Sequence, residues 1–106
     1  MQLERTTLLT IVAEQVLESK LKELVRQAGA QGYTITDIAY GKGKHGERSG
    51  PADVTDNIQM ILTAPKEIVD AILKGIEKEY AKSYAIWVCM HEVDVVRWTP
   101  AFAAAR

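Results

Sequence analysis

At 106 residues, the chain is long enough for one domain with a single hydrophobic core and too short for two domains of ordinary size. Thirteen basic and 14 acidic side chains give a net charge of −1, so no overall field attracts nucleic acid or an anionic membrane. One cysteine excludes an intrachain disulfide, and no run reaches the ~18 apolar residues of a membrane span. The first residues also lack the apolar stretch of a signal peptide, so we expect a cytoplasmic protein that is not itself a membrane protein.

The first half of the chain predicts a strand, a helix and a second strand. Residues 6–13 are rich in β-branched side chains and almost free of charge, which favours a strand. The apolar residues that follow have the spacing of an amphipathic helix: Leu17, Leu21, Leu24, Val25 and Ala28. Gly29 predicts the end of this helix, and residues 33–40 again have the composition of a strand.

The segment 41–50 is the most unusual part of the sequence. It holds four of the seven glycines and no apolar residue, which predicts a long loop inside a small domain. Its glycines allow backbone N–H groups to turn toward an anion, and Lys42, Lys44 and Arg48 supply positive charge. The spacing is not that of a Walker A loop. From the residues alone, a solvated flexible loop and an anion-binding loop both remain open.

The second half repeats the order of the first. Residues 57–62 alternate as a strand, Thr63 and Pro65 are typical of a helix start, and residues 85–96 predict a last strand. The helix between them has apolar residues at helical spacing: Ile68, Val69, Ile72, Ile76 and Tyr80. The order β-α-β-loop-β-α-β predicts a ferredoxin-like α+β sandwich over residues 1–106, with a four-stranded antiparallel sheet and both helices on one face.

Catalytic and metal-binding patterns are missing from the sequence. His45 and His91 stand far apart and without paired cysteines, so we predict no metal site. Glu92 and Asp94 share a strand face and are expected to be solvated, and no serine has a positioned histidine and acid. We therefore expect no catalytic residue and no enzyme.

Residues 32–43 resemble the PII signalling family, in which a Gly-x-Thr strand runs into a Gly-x-Gly step at the base of a long T-loop. The resemblance covers about residues 6–99 and includes Val95, Val96 and Arg97 at the arginine-bearing end of the last strand. Within the family, the chain is similar to divergent PII-like proteins tied to bicarbonate uptake and carboxysomes. Their loop begins Gly-Lys-Gly and runs to an Arg-Ser-Gly-like stretch, as residues 41–43 and 48–50 do here.

The resemblance implies a homotrimeric regulator with an adenine nucleotide in each cleft between subunits and with bicarbonate as a candidate second ligand. Its T-loop would span about residues 41–56 and change conformation to regulate inorganic-carbon metabolism. A bicarbonate transporter or a carboxysome component is the candidate protein target. The implied nucleotide-binding residues are Thr34, Gly41, Lys42, Gly43, Lys44, Arg48, Ser49 and Arg97. No cofactor beyond these regulatory ligands is implied.

Two departures from the family pattern predict a lower affinity for a nucleoside triphosphate. Residues 80–85 lack the glycines and the phosphate-binding lysine arrangement of the family's B-loop, and Thr99 stands where the family has a second arginine. We therefore expect ADP or AMP to be favoured over ATP. The tail from about residue 99 to residue 106 carries no readable signal.

Three other functions fit the same fold. An RNA-binding module would stack bases on aromatic side chains of the sheet, but the chain has only seven aromatic residues and a net charge of −1. A metal-binding trimer would need more than the single cysteine, Cys89. A small acylphosphatase-like hydrolase is a further alternative, and no catalytic pattern supports it.

Overall fold

The computed structural model of the chain describes residues 1–38, 40–43, 46–49 and 56–98. A single turn of 3-10 helix, Gln15–Leu17, connects the first strand to the first helix. The elements in chain order are β1 (Gln2–Glu14), α1 (Glu18–Ala28), β2 (Thr34–Ile38), β3 (Tyr40–Gly43), β4 (Gly46–Ser49), β5 (Asn57–Ala64), α2 (Lys66–Glu79) and β6 (Trp87–Arg97).

Four strands form one antiparallel sheet in the order β2-β5-β1-β6. The long strand β1 is central: its Leu9 lies opposite Leu62 of β5 on one side and opposite Met90 of β6 on the other. With both helices packed on one face, this is the ferredoxin-like sandwich that the sequence predicted.

The core lies between the helices and one face of the sheet. Because side chains alternate along a strand, every second residue of β1 and β5 points to this face. The buried apolar residues are Leu9, Ile11 and Ala13 of β1, Leu17 of the 3-10 turn, Ile58, Met60, Leu62 and Ala64 of β5, Leu21 and Val25 of α1, and Val69, Ile72 and Ile76 of α2. Burying each large aliphatic side chain stabilises the fold by roughly 1.5–3 kcal/mol.

The opposite face of the sheet is left open by the described part of the chain. Its partly exposed apolar side chains come from all four strands and include Leu8, Val12, Ile38, Ile61, Val93 and Val95. Trp87 lies opposite Val12 on the same face and is 53% exposed. We call this surface the open face.

Several element bounds differ from the sequence prediction. β1 begins at Gln2 and not at residue 6, because residues 2–5 pair with the far end of β6 as a two-stranded extension of the sheet. Thr63 lies in β5, and Pro65 takes the N-cap position of α2. Pairing with a distant strand set these bounds, and local composition does not reveal such pairing.

The predicted long loop contains regular backbone. Tyr40–Gly43 pairs with Gly46–Ser49 in antiparallel register, with Gly41 opposite Arg48. A glycine-rich polar segment predicts a loop, yet strand pairing uses only backbone N–H and C=O groups, which glycine also supplies. The expectation of a loop without regular structure is therefore corrected for residues 41–43 and 46–49.

Candidate functional site

An open cavity of about 630 Å³ lies against the open face near the ends of β2 and β6. It brings together Thr34 and Arg97, two of the residues singled out by the sequence resemblance. The residues that line it are Leu8, Gln31, Gly32, Tyr33, Thr34, Ile61, Leu62, Thr63, Val95 and Arg97.

The strand register explains why residues so distant in sequence share one cavity. Thr34 of β2 lies opposite Ile61 of β5, and Thr63, two residues further on the same face, lies opposite Leu8 of β1. Because β6 pairs with β1 on its other side, Arg97 reaches the same face opposite Gln2. Residues of all four strands thus line the cavity.

The lining combines an apolar floor with a charged end. Leu8, Ile61 and Val95 provide apolar surface, and the hydroxyls of Thr34 and Thr63 can donate and accept hydrogen bonds. Arg97 is the only lysine or arginine on the described wall of this cavity. Such a wall suits a ligand with a flat apolar body and an anionic end, because guanidinium binds phosphate and carboxylate groups in a fork geometry.

Arg97 is engaged by a carboxylate of the neighbouring strand. Its Nε–H donates to Oε1 of Glu4 at 2.8 Å, and its Nη2 donates to the same oxygen at 2.5 Å. Both side chains are partly exposed, 37% for Arg97 and 55% for Glu4. Exposed pairs of this kind contribute at most about 1 kcal/mol, so an incoming anion can displace the carboxylate.

The paired carboxylates of β6 are also in an ion pair. Arg5 of β1 lies 3.7 Å from Glu92 and 3.4 Å from Asp94, and all three side chains are largely exposed. They lie on the face of the sheet that carries the core, opposite the face of the Thr34–Arg97 cavity. The exposure of the two carboxylates agrees with the prediction that they are solvated.

The remaining predicted site residues lie in the β3–β4 hairpin or next to it. Gly41, Lys42 and Gly43 belong to β3, and Arg48 and Ser49 belong to β4. Lys44 lies outside the described residues, as do Gly50 and Thr99. Their part in ligand binding stays a prediction.

A second, smaller cavity of about 310 Å³ adjoins the first and shares Gln31, Gly32 and Tyr33 with it. Its two cations, Lys22 and Arg26, already have carboxylate partners on α1. Lys22 lies 3.0 Å from Glu18, whose carboxylate raises the pKa of the lysine. Arg26 donates hydrogen bonds to Glu23 and thereby lowers the pKa of that carboxyl. The cavity therefore offers little net positive charge to an anion.

Residues 80–84, which follow α2 at the place of the B-loop in the family pattern, form turns. Tyr80 and Tyr84 pack edge to face with ring centroids 6.3 Å apart. The backbone N–H of Tyr84 donates to the carbonyl of Tyr80 at 3.0 Å. This segment therefore contains a packed pair of tyrosine rings where the family pattern has glycines.

Sequence reasoning missed several residues of the cavity. The predicted strand 57–62 alternates, so a search for the face opposite the core would have found Ile61. Thr63 was missed because it was predicted as a helix cap and lies in β5. Tyr33 is 44% exposed just before β2 and was counted as part of the strand. Glu4 gave no signal, since only the β1–β6 register brings it to Arg97.

Among the described residues, no three histidine, cysteine, aspartate or glutamate side chains come together as a group that could hold a metal ion. No helix in the described ranges is long and apolar enough to cross a membrane. On the open face, Trp87 is the only aromatic residue of the described strand positions, so the stacking surface of an RNA-binding sheet is poorly represented.

The sequence matches the family model described as nitrogen regulatory protein P-II over residues 6–99. The chain belongs to the PII family. The match covers most of the chain and confirms the resemblance found in the Gly-x-Thr strand and the glycine-rich step after it.

Solved structures of PII-like proteins have the same fold. A PII-like signalling protein of Thermus thermophilus is 34% identical, with a TM-score of 0.74 over 91% of this chain and 94% of that one. CPII of Thiomonas intermedia, a nitrogen regulatory PII-like protein bound to ADP, AMP and bicarbonate, is 28% identical, with a TM-score of 0.81 over 91% and 92%. Bacillus subtilis GlnK, in complex with ATP, shares the fold at 16% identity, with a TM-score of 0.53 over 82% of each chain.

Proposed function

We propose that this PII-family protein is a regulator that binds an adenine nucleotide, ADP or AMP in preference to ATP, and is not an enzyme. The observation that carries the proposal is the shared cavity of Thr34 and Arg97, the two residues expected at the adenine end and the phosphate end. The similarity to a Thiomonas protein bound to ADP, AMP and bicarbonate supports the same ligand class.

In the proposed complex, the adenine lies on the apolar floor near Thr34, and the phosphates extend toward Arg97. The backbone of Gly41, Lys42 and Gly43 lines the phosphates, with Lys44, Arg48 and Ser49 as further contacts from the T-loop. Each charge-assisted hydrogen bond to phosphate contributes roughly 1.5–3 kcal/mol. Arg97 is the main source of such bonds on the described wall of the cavity.

The energetics favour joint sensing of two ligands. Fixing a loop of ten residues in one conformation costs on the order of 10 kcal/mol of backbone entropy, and the strand pairing of residues 41–43 and 46–49 offsets a part of it. A few phosphate contacts offset only part of this cost. Bicarbonate or a protein target must therefore add contacts before the T-loop adopts a single conformation. Such a response to a nucleotide together with bicarbonate suits a regulator of inorganic-carbon metabolism.

The proposed assembly is a homotrimer, with each nucleotide in a cleft between neighbouring subunits. Support comes from the open face, where apolar side chains of all four strands remain partly exposed in the single chain. Packing these faces together would bury that surface and enclose the cavity. The target, a bicarbonate transporter or a carboxysome component, and the cytoplasmic location stay predictions.

A thermal-shift screen tests the proposal directly. The purified protein is heated with AMP, ADP, ATP and cyclic AMP, each with and without bicarbonate, and GMP serves as the base-specificity control. We expect ADP or AMP to raise the unfolding temperature most, and bicarbonate to increase that rise. Equal and negligible shifts for every adenine nucleotide at millimolar concentration would contradict nucleotide binding, and equal shifts with and without bicarbonate would contradict the joint sensing.

A further inference from the structure

We propose that Glu4 is a specificity-determining residue of the nucleotide site, which disfavours ligands with more phosphate charge. This inference rests on the proposed function and assigns a role to a side chain outside the residues implied by the family pattern. It begins from one observation: the only cation on the described wall of the cavity, Arg97, has both of its hydrogen-bonding nitrogens on Oε1 of Glu4.

The position of Glu4 is fixed by the backbone. Glu4 lies opposite Val95, and Arg97 lies opposite Gln2, so the two side chains are diagonal neighbours on one face of the β1–β6 pair. Diagonal neighbours on antiparallel strands lie within reach of long side chains. The Arg97 guanidinium therefore binds the Glu4 carboxylate whenever no other anion is bound to the guanidinium.

Glu4 acts on a bound nucleotide in two separable ways. A phosphate that takes over Arg97 must first displace the carboxylate, and this competition weakens AMP, ADP and ATP by the same factor. The displaced carboxylate then remains beside the phosphates and repels them. Since the net negative charge rises with each phosphate, this repulsion is greatest for ATP. The first effect lowers affinity, and the second sets the order of preference.

The expected size of the discrimination follows from Coulomb interactions in nearly aqueous surroundings. A carboxylate several ångströms from each added phosphate charge changes the ATP-to-AMP affinity ratio about three- to tenfold. Because the side chains are exposed, salt screens this repulsion. The discrimination is therefore expected to shrink between about 0.05 M and about 0.5 M salt.

The substitution Glu4→Gln tests the inference, with Glu92→Gln as its matched control. Both replace an exposed strand carboxylate that is paired with an arginine, and both change the net charge equally, but Glu92 lines a different cavity. Affinities for AMP, ADP and ATP are measured by calorimetry in EDTA, so that no divalent cation masks the phosphate charge. Glu4→Ala is measured alongside, and circular dichroism checks that each variant is folded.

We expect Glu4→Gln and Glu4→Ala to bind all three nucleotides more tightly than the wild type does. The ratio of the affinity for ATP to the affinity for AMP should rise about three- to tenfold at low salt. Glu92→Gln is expected to leave the ratio unchanged. If the wild type binds adenine nucleotides but Glu4→Gln leaves the ratio unchanged, or if Glu92→Gln shifts it equally, the role of Glu4 is wrong and the proposed function stands. If the wild type binds no adenine nucleotide, both are overturned.

Discussion

Arg97 decides the electrostatics of the candidate site. On the part of the cavity wall that the structure describes, Arg97 supplies the only positive charge, and its partner Glu4 is an exposed carboxylate that binds it weakly. The sequence resemblance singled out Thr34 in a strand motif and Arg97 at a strand end, and both residues line the cavity. The partner Glu4 could not be predicted, because a pairing between the first and last strands leaves no local trace in the sequence.

Replacing Arg97 tests the phosphate end. We expect Arg97→Ala to weaken ADP binding by at least about 1 kcal/mol, because a charge-assisted hydrogen bond to phosphate is lost, while the fold stays intact. Arg5→Ala is the matched control, since Arg5 is also an exposed strand arginine in ion pairs and does not line the cavity. Displacement of a fluorescent ADP analogue measures both. Unchanged affinity in Arg97→Ala would place the phosphates elsewhere.

At the scale of elements, the two helices were predicted because each has a buried stripe of apolar residues at helical spacing, although the start of α2 was wrong by two residues. α1 ends where the sequence predicted, at Gly29, whose φ of 104° lies in the left-handed region. The N–H groups of Gly29 and Ala30 donate to the carbonyls of Arg26 and Val25 at 3.0 Å. The β3–β4 hairpin was not predicted, because backbone pairing of polar and glycine residues has no hydrophobic period.

Gly29→Ala tests the end of α1. A side chain in the left-handed region costs about 1–2 kcal/mol, so we expect a loss of about that size in the free energy of unfolding. Gly32→Ala is the control, because no atom lies within 4 Å of the added Cβ and its φ is not positive. Urea denaturation measures both variants. Equal stability of Gly29→Ala and the wild type would show that the capping conformation is not required.

Acid should remove the contribution of Glu23 to α1. The hydrogen bond from Arg26 lowers the pKa of Glu23 below its ordinary value of 4.5, so the folded state holds the proton less tightly than the unfolded state. This stabilisation is fully present above pH 4.5 and is lost as the pH falls through the lowered pKa. We expect Glu23→Gln to unfold at a slightly lower temperature than the wild type at pH 7, with the difference vanishing in acid.

The unfolding temperatures of the wild type and Glu23→Gln are measured from pH 7 down into acid. Glu77→Gln, at an exposed position of α2, controls for the change in net charge. A difference between wild type and Glu23→Gln that persists undiminished in acid would contradict the ion-pair explanation.

For the whole molecule, strand order and register decide where function can reside. The alternating order of elements predicted the ferredoxin-like sandwich. It did not predict that β1 would run from Gln2 to Glu14 and pair along most of β6. That long pairing brings Arg97 to the cavity of Thr34, on the sheet face that no described element covers. Sequence periodicity specifies which residues share a face, but not which distant strands adjoin.

A charge on the open face tests the proposed trimer. Val12 lies near the centre of that face, so Val12→Lys would place an unpaired ammonium between packed subunits, which is strongly unfavourable. We expect the variant to be monomeric and to bind ADP more weakly, because the cleft between subunits is lost. Ala71→Lys, on the exposed side of α2, should remain trimeric. Light scattering after size exclusion measures both, and a trimeric Val12→Lys would exclude this face as the interface.

The most direct test of nucleotide binding at the Thr34–Arg97 cavity is a calorimetric titration of the wild-type protein with ADP, repeated on Arg97→Ala and Arg5→Ala. We predict saturable binding with one ADP per subunit, weakened in Arg97→Ala and unchanged in Arg5→Ala. The absence of saturable binding of ADP or AMP at millimolar concentration to the wild-type protein would contradict it.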